Sequence, residues 1–201
     1  GLSSDDLRVL ASRDSDPFNR WQAVQTLATK LLTGNVARFR AGEAPEIDEG
    51  LLIPLASIIG DRNLEPAFIA EALQLPSEAD IAREIGSDVD PDAIFRVRTG
   101  LRALVGLHLN AELSKMYRSM TTSGPYSPDA ASTGRRALKN ICLDLLAATA
   151  ESHAIRLAAA QYQSADNMTD RMAALTTLNQ HDGPERDAAL SDFYRRYQDD
   201  P

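Results

Sequence analysis

The side chains able to do chemistry in this sequence are few and scattered. The three histidines are His108, His153 and His181. None stands in an H-E-x-x-H arrangement or has a second ligand one helical turn away, the spacing that lets one helix face present two donors to zinc. His108 shares a predicted helix face with Leu101, Leu104 and Leu109, so it is expected as a partly buried packing residue. His153 falls in the first turn of a predicted helix and His181 in a polar loop, which places both at the surface. The single cysteine, Cys142, lies between Leu138 and Leu145 on an apolar helix face. A thiol in that setting behaves as a small hydrophobe and stays inert. No G-x-S-x-G elbow exposes a serine, and no glycine-rich loop could cradle a phosphate.

Carboxylates are plentiful, but Asp5/Asp6, Asp14/Asp16 and Asp199/Asp200 fall at helix starts and in loops. There they complement helix dipoles and aid solubility, which is not the arrangement of an acid–base pair. Asn167-Met168-Thr169 matches a glycosylation sequon, although helix capping explains Asn167 more simply. The sequence therefore assigns no catalytic residue, no metal ligand and no cofactor to this chain, and leaves substrate-binding residues unknown.

The elements that would position these residues are helices. Five X-Pro pairs, Asp16-Pro17, Glu65-Pro66, Asp90-Pro91, Ser127-Pro128 and Gly183-Pro184, each precede a helix-period apolar pattern. Proline suits a first helical turn because its missing N–H would be unpaired there and its φ is already helical. The pattern predicts about ten helices. They run over Ser4–Arg13, Asp16–Arg40, Asp48–Ile59 with Pro54 kinking it or delaying its start, and Pro66–Gln74. A short helix capped by Ser77 and Asp80 and closed by Gly86 follows, and then the longest, Asp90–Met120. After a loose stretch at Thr121–Tyr126 come Ser127–Thr149, Glu151–Gln163, a helix capped by Asn167, and one from Pro184 to Tyr197. No convincing strand separates them.

At 201 residues the chain can bury one sizeable core. Aromatic residues make up only 5%, so that core must be aliphatic, as helix-on-helix packing favours. A formal charge of −8 argues against a nucleic-acid footprint and against a DNA-reading regulator. No apolar run reaches the roughly 18 residues of a membrane span, and Gly1-Leu2-Ser3-Ser4 lacks the features of a signal peptide. With a lone cysteine, a reducing, cytoplasmic setting is expected. Short loops favour antiparallel neighbours, either as a compact bundle or as helix pairs stacked into a solenoid. Irregular helix lengths without a fixed-period motif favour an all-α, armadillo- or HEAT-like superhelix as one domain over residues 4–197.

Two segments are the most distinctive. Asp14-Ser15-Asp16-Pro17-Phe18-Asn19-Arg20-Trp21 is a capped helix start with an aromatic pair one turn apart and Arg20 placed to reach an acid in the turn. Ala165-Asp166-Asn167-Met168-Thr169-Asp170-Arg171-Met172-Ala173-Ala174-Leu175 repeats the form: acid, cap, apolar residue, reciprocal acid, arginine. Add Leu31-Leu32-Thr33-Gly34-Asn35-Val36-Ala37-Arg38, Leu73-Gln74-Leu75-Pro76-Ser77-Glu78 and Arg136-Ala137-Leu138-Lys139-Asn140-Ile141-Cys142-Leu143. In this order the segments resemble the C-terminal domain of bacterial aminopeptidase N, a family of zinc metallopeptidases that remove N-terminal residues from peptides.

The resemblance implies a helical, armadillo-like superhelix that closes over a catalytic domain of the same polypeptide and walls off a chamber for peptide substrate. The family's zinc ligands, an H-E-x-x-H helix and a downstream glutamate, belong to a preceding domain and have no counterpart here. Zinc is thus expected in the parent and not in this chain, which is expected to be inactive alone. The family continues with further helices past the point matching Pro201, which predicts an exposed face, and so self-association or modest stability in isolation. The alternative is a stand-alone helical-repeat module binding a peptide or protein partner on its concave face.

Overall fold

The computed structural model describes residues 2–121 and 126–199, and among them the regular structure is helical throughout. The helices are α1 (Ser4–Arg13), α2 (Pro17–Arg40), α3 (Glu49–Gly60), α4 (Pro66–Leu73), α5 (Glu78–Ile85) and α6 (Pro91–His108), then α7 (Asn110–Met120), α8 (Ala130–Ala147), α9 (Ser152–Ser164), α10 (Met168–Leu178) and α11 (Pro184–Tyr197). Local chemistry explains most starts. The Asp16 and Asp90 carboxylates accept from the Phe18 and Ala93 amides ahead of Pro17 and Pro91. Ser77 and Asp80 form the expected reciprocal capping box, and Ser3 with Asp6 forms another that opens α1. Gly86, at φ 79°, closes α5 in a backbone conformation that few other residues tolerate.

Two expectations need correction, and a third is narrowed. Pro128 does not open a helix: α8 begins at Ala130, and Asp129 caps it by accepting from the Ser132 amide at 2.9 Å. Aspartate and serine cap about equally well, and here the Ser127 hydroxyl donates to the Asp129 carboxylate. The predicted long helix Asp90–Met120 is two helices, which brings the number among the described residues to eleven. Leu109 breaks it with φ −105° and ψ 21°, so that α6 lies along α2, α5 and α8 while α7 turns to pack on α8 and α3. A single helix of that length would run about 45 Å straight and could not follow both surfaces. Pro54 lies inside α3 and is buried there, but it does not delay the start, which Asp48 caps by accepting from the Gly50 amide. The loose stretch Thr121–Tyr126 falls largely on residues 122–125, outside the described residues.

The helices pack in two rows. Neighbours run α1–α3–α7 along one and α2–α6–α8–α10 along the other, with α9 and α11 continuing the stack beside α10. The larger apolar cluster fills the space between the rows from Leu7 and Ala11 through Leu55, Ile58 and Leu73 to Leu138, Leu145 and Leu146. A second cluster, Leu143, Ala158, Tyr162, Leu175 and Leu178 among others, continues the core into the last three helices. Helix α8 is the hub, touching α4, α6, α7, α9 and α10. Glycine makes one of these approaches possible. A Cβ on Gly106 would lie 2.1 Å from the Leu145 carbonyl oxygen, so α6 and α8 meet backbone to backbone. The Gly106→Ala variant is expected to lose about 3 kcal/mol of stability because two backbones must separate, measured as the shift in urea-unfolding free energy with an unchanged m-value.

Candidate functional site: polar seams and an apolar groove

The sequence-marked residues do not converge. His108 is exposed at the end of α6 with Nδ1 3.0 Å from the Leu104 carbonyl oxygen, and is not the packing residue its spacing suggested. The break at Leu109 explains this, because it turns Leu109 into the core and leaves His108 outside. His153 is exposed as expected, 3.1 Å from the Glu151 carboxylate. His181 departs from its expected surface position. It is half-buried in the α10–α11 loop, where desolvation and the nearby Arg102 guanidinium push its pKa below the usual histidine value. Cys142 is fully buried in α8, and burial pushes its thiol up to about 12, so it is the inert hydrophobe its setting implied. Among the described residues no group of three or more His, Cys, Asp and Glu side chains could hold a metal ion.

The structure does bring together polar residues that spacing alone did not mark, in three seams between helices, each built on a buried side chain, Arg20, Arg102 or Asp170. In the first, Arg20 of α2 donates to the Ala11 carbonyl at 3.3 Å and pairs with Asp61 at 2.8 Å. Its acid therefore lies after α3 and not in its own turn, since the side chain points into the α1–α3 interface. The Arg20 hydrogen bond, followed by the Asn63 amide, holds the Asp61 carboxyl below the usual carboxylate range. Phe18 and Trp21 do pack together, with ring centroids 5.7 Å apart. In the second seam Arg102 of α6 donates to Asp144 of α8 at 2.5 Å and to Gln180 at 2.6 Å, while Gln180 also donates to Asp144.

The third seam joins four helices. Asp170 of α10 is 5% exposed and forms an ion pair with Lys139 of α8. Asn140 of α8 donates to the same carboxylate at 3.0 Å. Gln161 of α9 donates to Asn140 at 2.8 Å and to the Asp170 backbone carbonyl at 3.1 Å, and Tyr117 of α7 donates to Gln161 at 3.0 Å. Burial, then the Asp170 charge, raises the Tyr117 pKa, so the phenol stays a donor. Asp170 was expected as the reciprocal acid of the Asn167 cap. Asn167 does cap α10, accepting from the Asp170 amide at 2.9 Å, but the Asp170 carboxylate mainly faces inward. The signal in the sequence was the pair Lys139-Asn140 at the start of an apolar face.

On the outside, a groove of about 670 Å³ lies between the end of α2, the strap of residues 43–47 and α6. Phe39, Ile47, Phe95, Val97, Leu101 and Leu104 line it. Phe39, Ile47 and Phe95 stand 45%, 60% and 57% exposed. Asn35 holds the strap by a two-way amide contact with the Glu46 backbone, at 3.0 and 2.7 Å. Arg38 adds a bond to the Ala44 carbonyl at 2.8 Å. None of these seams or surfaces contains a nucleophile beside a base. The arrangement can hold helices in register and offer surfaces.

Known proteins match the chain over nearly its whole length. The family model described as Domain of unknown function (DUF3458_C) ARM repeats matches residues 4–201. The chain belongs to this ARM-repeat family. It is 35% identical over 197 residues to aminopeptidase N of Caulobacter vibrioides, covering 98% of this chain but 22% of that protein. It is 31% identical over 191 residues to aminopeptidase N of Escherichia coli, with 95% and 22% covered. The chain thus spans about a fifth of the length of these relatives. The fold is shared with Legionella pneumophila aminopeptidase A, solved in complex with aspartic acid, at a TM-score of 0.81 and 23% identity, over 100% of this chain and 24% of that one. The resemblance to the helical C-terminal domain of bacterial aminopeptidase N, and the superhelix it implied over a compact bundle, therefore stand.

In this ARM-repeat stack the seams predict two measurable effects. Replacing Asp170 with Ala strands the Lys139 charge and the Asn140 amide in a largely buried interface, and is expected to cost about 3 kcal/mol. The double variant Lys139→Met/Asp170→Leu should recover much of that loss, measured by urea unfolding. For His181 the neutral form is favoured on folding, so the unfolded chain binds the proton more readily. Stability should be intact above the unfolded value of 6.5 and fall as pH drops from there towards the folded pKa, then level off. The His181→Asn variant should lack that slope in thermal melts between pH 7.5 and 5.

Proposed function

We propose that this chain is a non-catalytic part of a zinc-dependent aminopeptidase of the aminopeptidase N type. In that reading it shapes the chamber and the access of peptides to a catalytic domain on the same polypeptide. The observation that carries the proposal is the alignment share: almost all of the chain matches, and it accounts for only 22% of the relatives. An ARM stack whose helices are held in register by ion pairs and hydrogen bonds suits a structural wall. In the parent, zinc would activate a water molecule and a carboxylate would serve as general base, with peptide N-termini as substrate. This chain would supply none of those groups, and its contribution would be gating, size selection and domain packing.

Two further features fit the proposal. No helix among the described residues is long and apolar enough to cross a membrane, and the buried, unpaired Cys142 suits a reducing, cytoplasmic setting. At the α10–α11 end, Met168, Met172, Leu190 and Tyr194 are exposed large apolar side chains. Further helices of the parent, packed on that end, would cover them.

Assay of the purified chain tests the reading. Zinc by elemental analysis should be far below one atom per chain, with no release of product from an aminoacyl chromogenic substrate. Stoichiometric, tightly held zinc together with turnover would sink the proposal.

A further inference from the structure

We infer that the polar pocket over the Asp170 seam is a binding site for a free α-amino acid. Arg136 of α8 takes its carboxylate, and Asp166 of the α9–α10 loop takes its ammonium group. The site stands on its own geometry and does not depend on the peptidase reading.

The pocket has a volume of about 280 Å³ and lies between the end of α7, one face of α8 and the turn from α9 into α10. That is just under the roughly 300–1,000 Å³ of sites for drug-sized ligands, which suits one amino acid better than an extended peptide. Its floor is the third seam, where the Lys139 and Asp170 side chains are 12% and 8% exposed. The floor groups are spent on one another: Lys139 and Asn140 on the Asp170 carboxylate, Gln161 with Asn140 and Tyr117. Beside them the Ser127 and Ser132 hydroxyls serve Asp129.

Two charges lining the pocket keep bonding capacity to spare, and they are opposite in sign. Arg136 donates from one terminal nitrogen to the Thr133 hydroxyl at 3.1 Å and lies over the Tyr126 ring, 4.6 Å from its centroid. Its Nε is buried without a partner, and among the described residues no carboxylate pairs with the guanidinium. Asp166 accepts from the Asn167 side chain at 2.9 Å and, among the described residues, has no cationic partner. The two share one pocket without pairing with each other. Both are held by fixed backbone: Arg136 is in the second turn of α8, and Arg171 donates to the Ala165 carbonyl beside Asp166.

A guanidinium held flat on an aromatic ring, with N–H groups still free, presents a fork that matches a carboxylate. The open oxygen of Asp166 accepts from an ammonium group. An α-amino acid carries both partners on one carbon and answers both charges at once. A simple carboxylate would leave Asp166 unanswered, and a simple amine would leave Arg136 so. A dianion such as phosphate would face Asp166 and Asp170 in the pocket and a formal protein charge of −8. A zwitterion has no net charge and meets no such repulsion.

Calorimetric titration of this 201-residue chain with L-alanine and L-leucine tests the site. Both should saturate it. N-acetyl-L-alanine lacks the ammonium group and L-alanine methyl ester lacks the carboxylate. Each should bind at least about tenfold more weakly than L-alanine, the equivalent of one lost charge-assisted hydrogen bond. In Arg136→Gln the methyl ester and L-alanine should bind alike, and in Asp166→Asn the N-acetyl compound and L-alanine should do so. A variant that weakened all ligands in equal proportion would have a structural effect only, and would overturn the assignment of that residue. No saturation by either amino acid would overturn the proposal. So would equal binding of N-acetyl-L-alanine or tighter binding of inorganic phosphate, either of which makes the pocket a plain anion site. Tighter binding of L-alanyl-L-alanine would overturn it too, by assigning the pocket to peptides. Should a variant misfold, the ligand series on the unaltered chain still decides, because it needs no substitution.

Discussion

A largely buried carboxylate imposes the strictest condition on this fold. Asp170 is buried where α8, α9 and α10 meet, and an isolated charge there would cost several kcal/mol. It is tolerated because Lys139 pairs with it and Asn140 donates to it, while Gln161 and Tyr117 complete the chain of donors. Satisfying one group thus fixes the relative placement of four helices. Apolar side chains alone would allow α10 to slide along α8 at small cost. A hydrogen-bonded ion pair with little exposure resists that sliding.

The other two seams apply the same constraint along the stack. Arg20–Asp61 ties α2 to the end of α3, and Arg102–Asp144–Gln180 ties α6 and α8 to the start of the α10–α11 loop. Between the seams, packing is aliphatic and close, with Gly106 letting α6 reach the α8 backbone. The interior polar groups are committed to holding one helix against the next.

Much of the local structure was legible in the sequence. Asp16-Pro17, Asp90-Pro91, Ser77 with Asp80, and Asn167 all begin helices because capping and proline geometry depend on the nearest few residues. Where two caps competed, at Ser127-Pro128-Asp129, spacing alone gave the wrong start. The break at Leu109 carries no proline or glycine and was invisible, because it is set by which surfaces α6 and α7 must follow. His108 and His181 were misplaced for the same reason: exposure depends on where a helix ends and what packs against a loop.

The sequence by itself determined that the chain is all helical, where most of its helices start, and that none of its histidines or its cysteine stands in a catalytic pattern. Those properties follow from caps, periodicity and residue type, which act over a few residues. Only the tertiary structure decided the partners of Arg20, Arg102 and Asp170, the division of the longest helix, and the groove between α2 and α6. Each of these joins residues far apart in sequence, and such contacts exist only once the whole stack has chosen its packing.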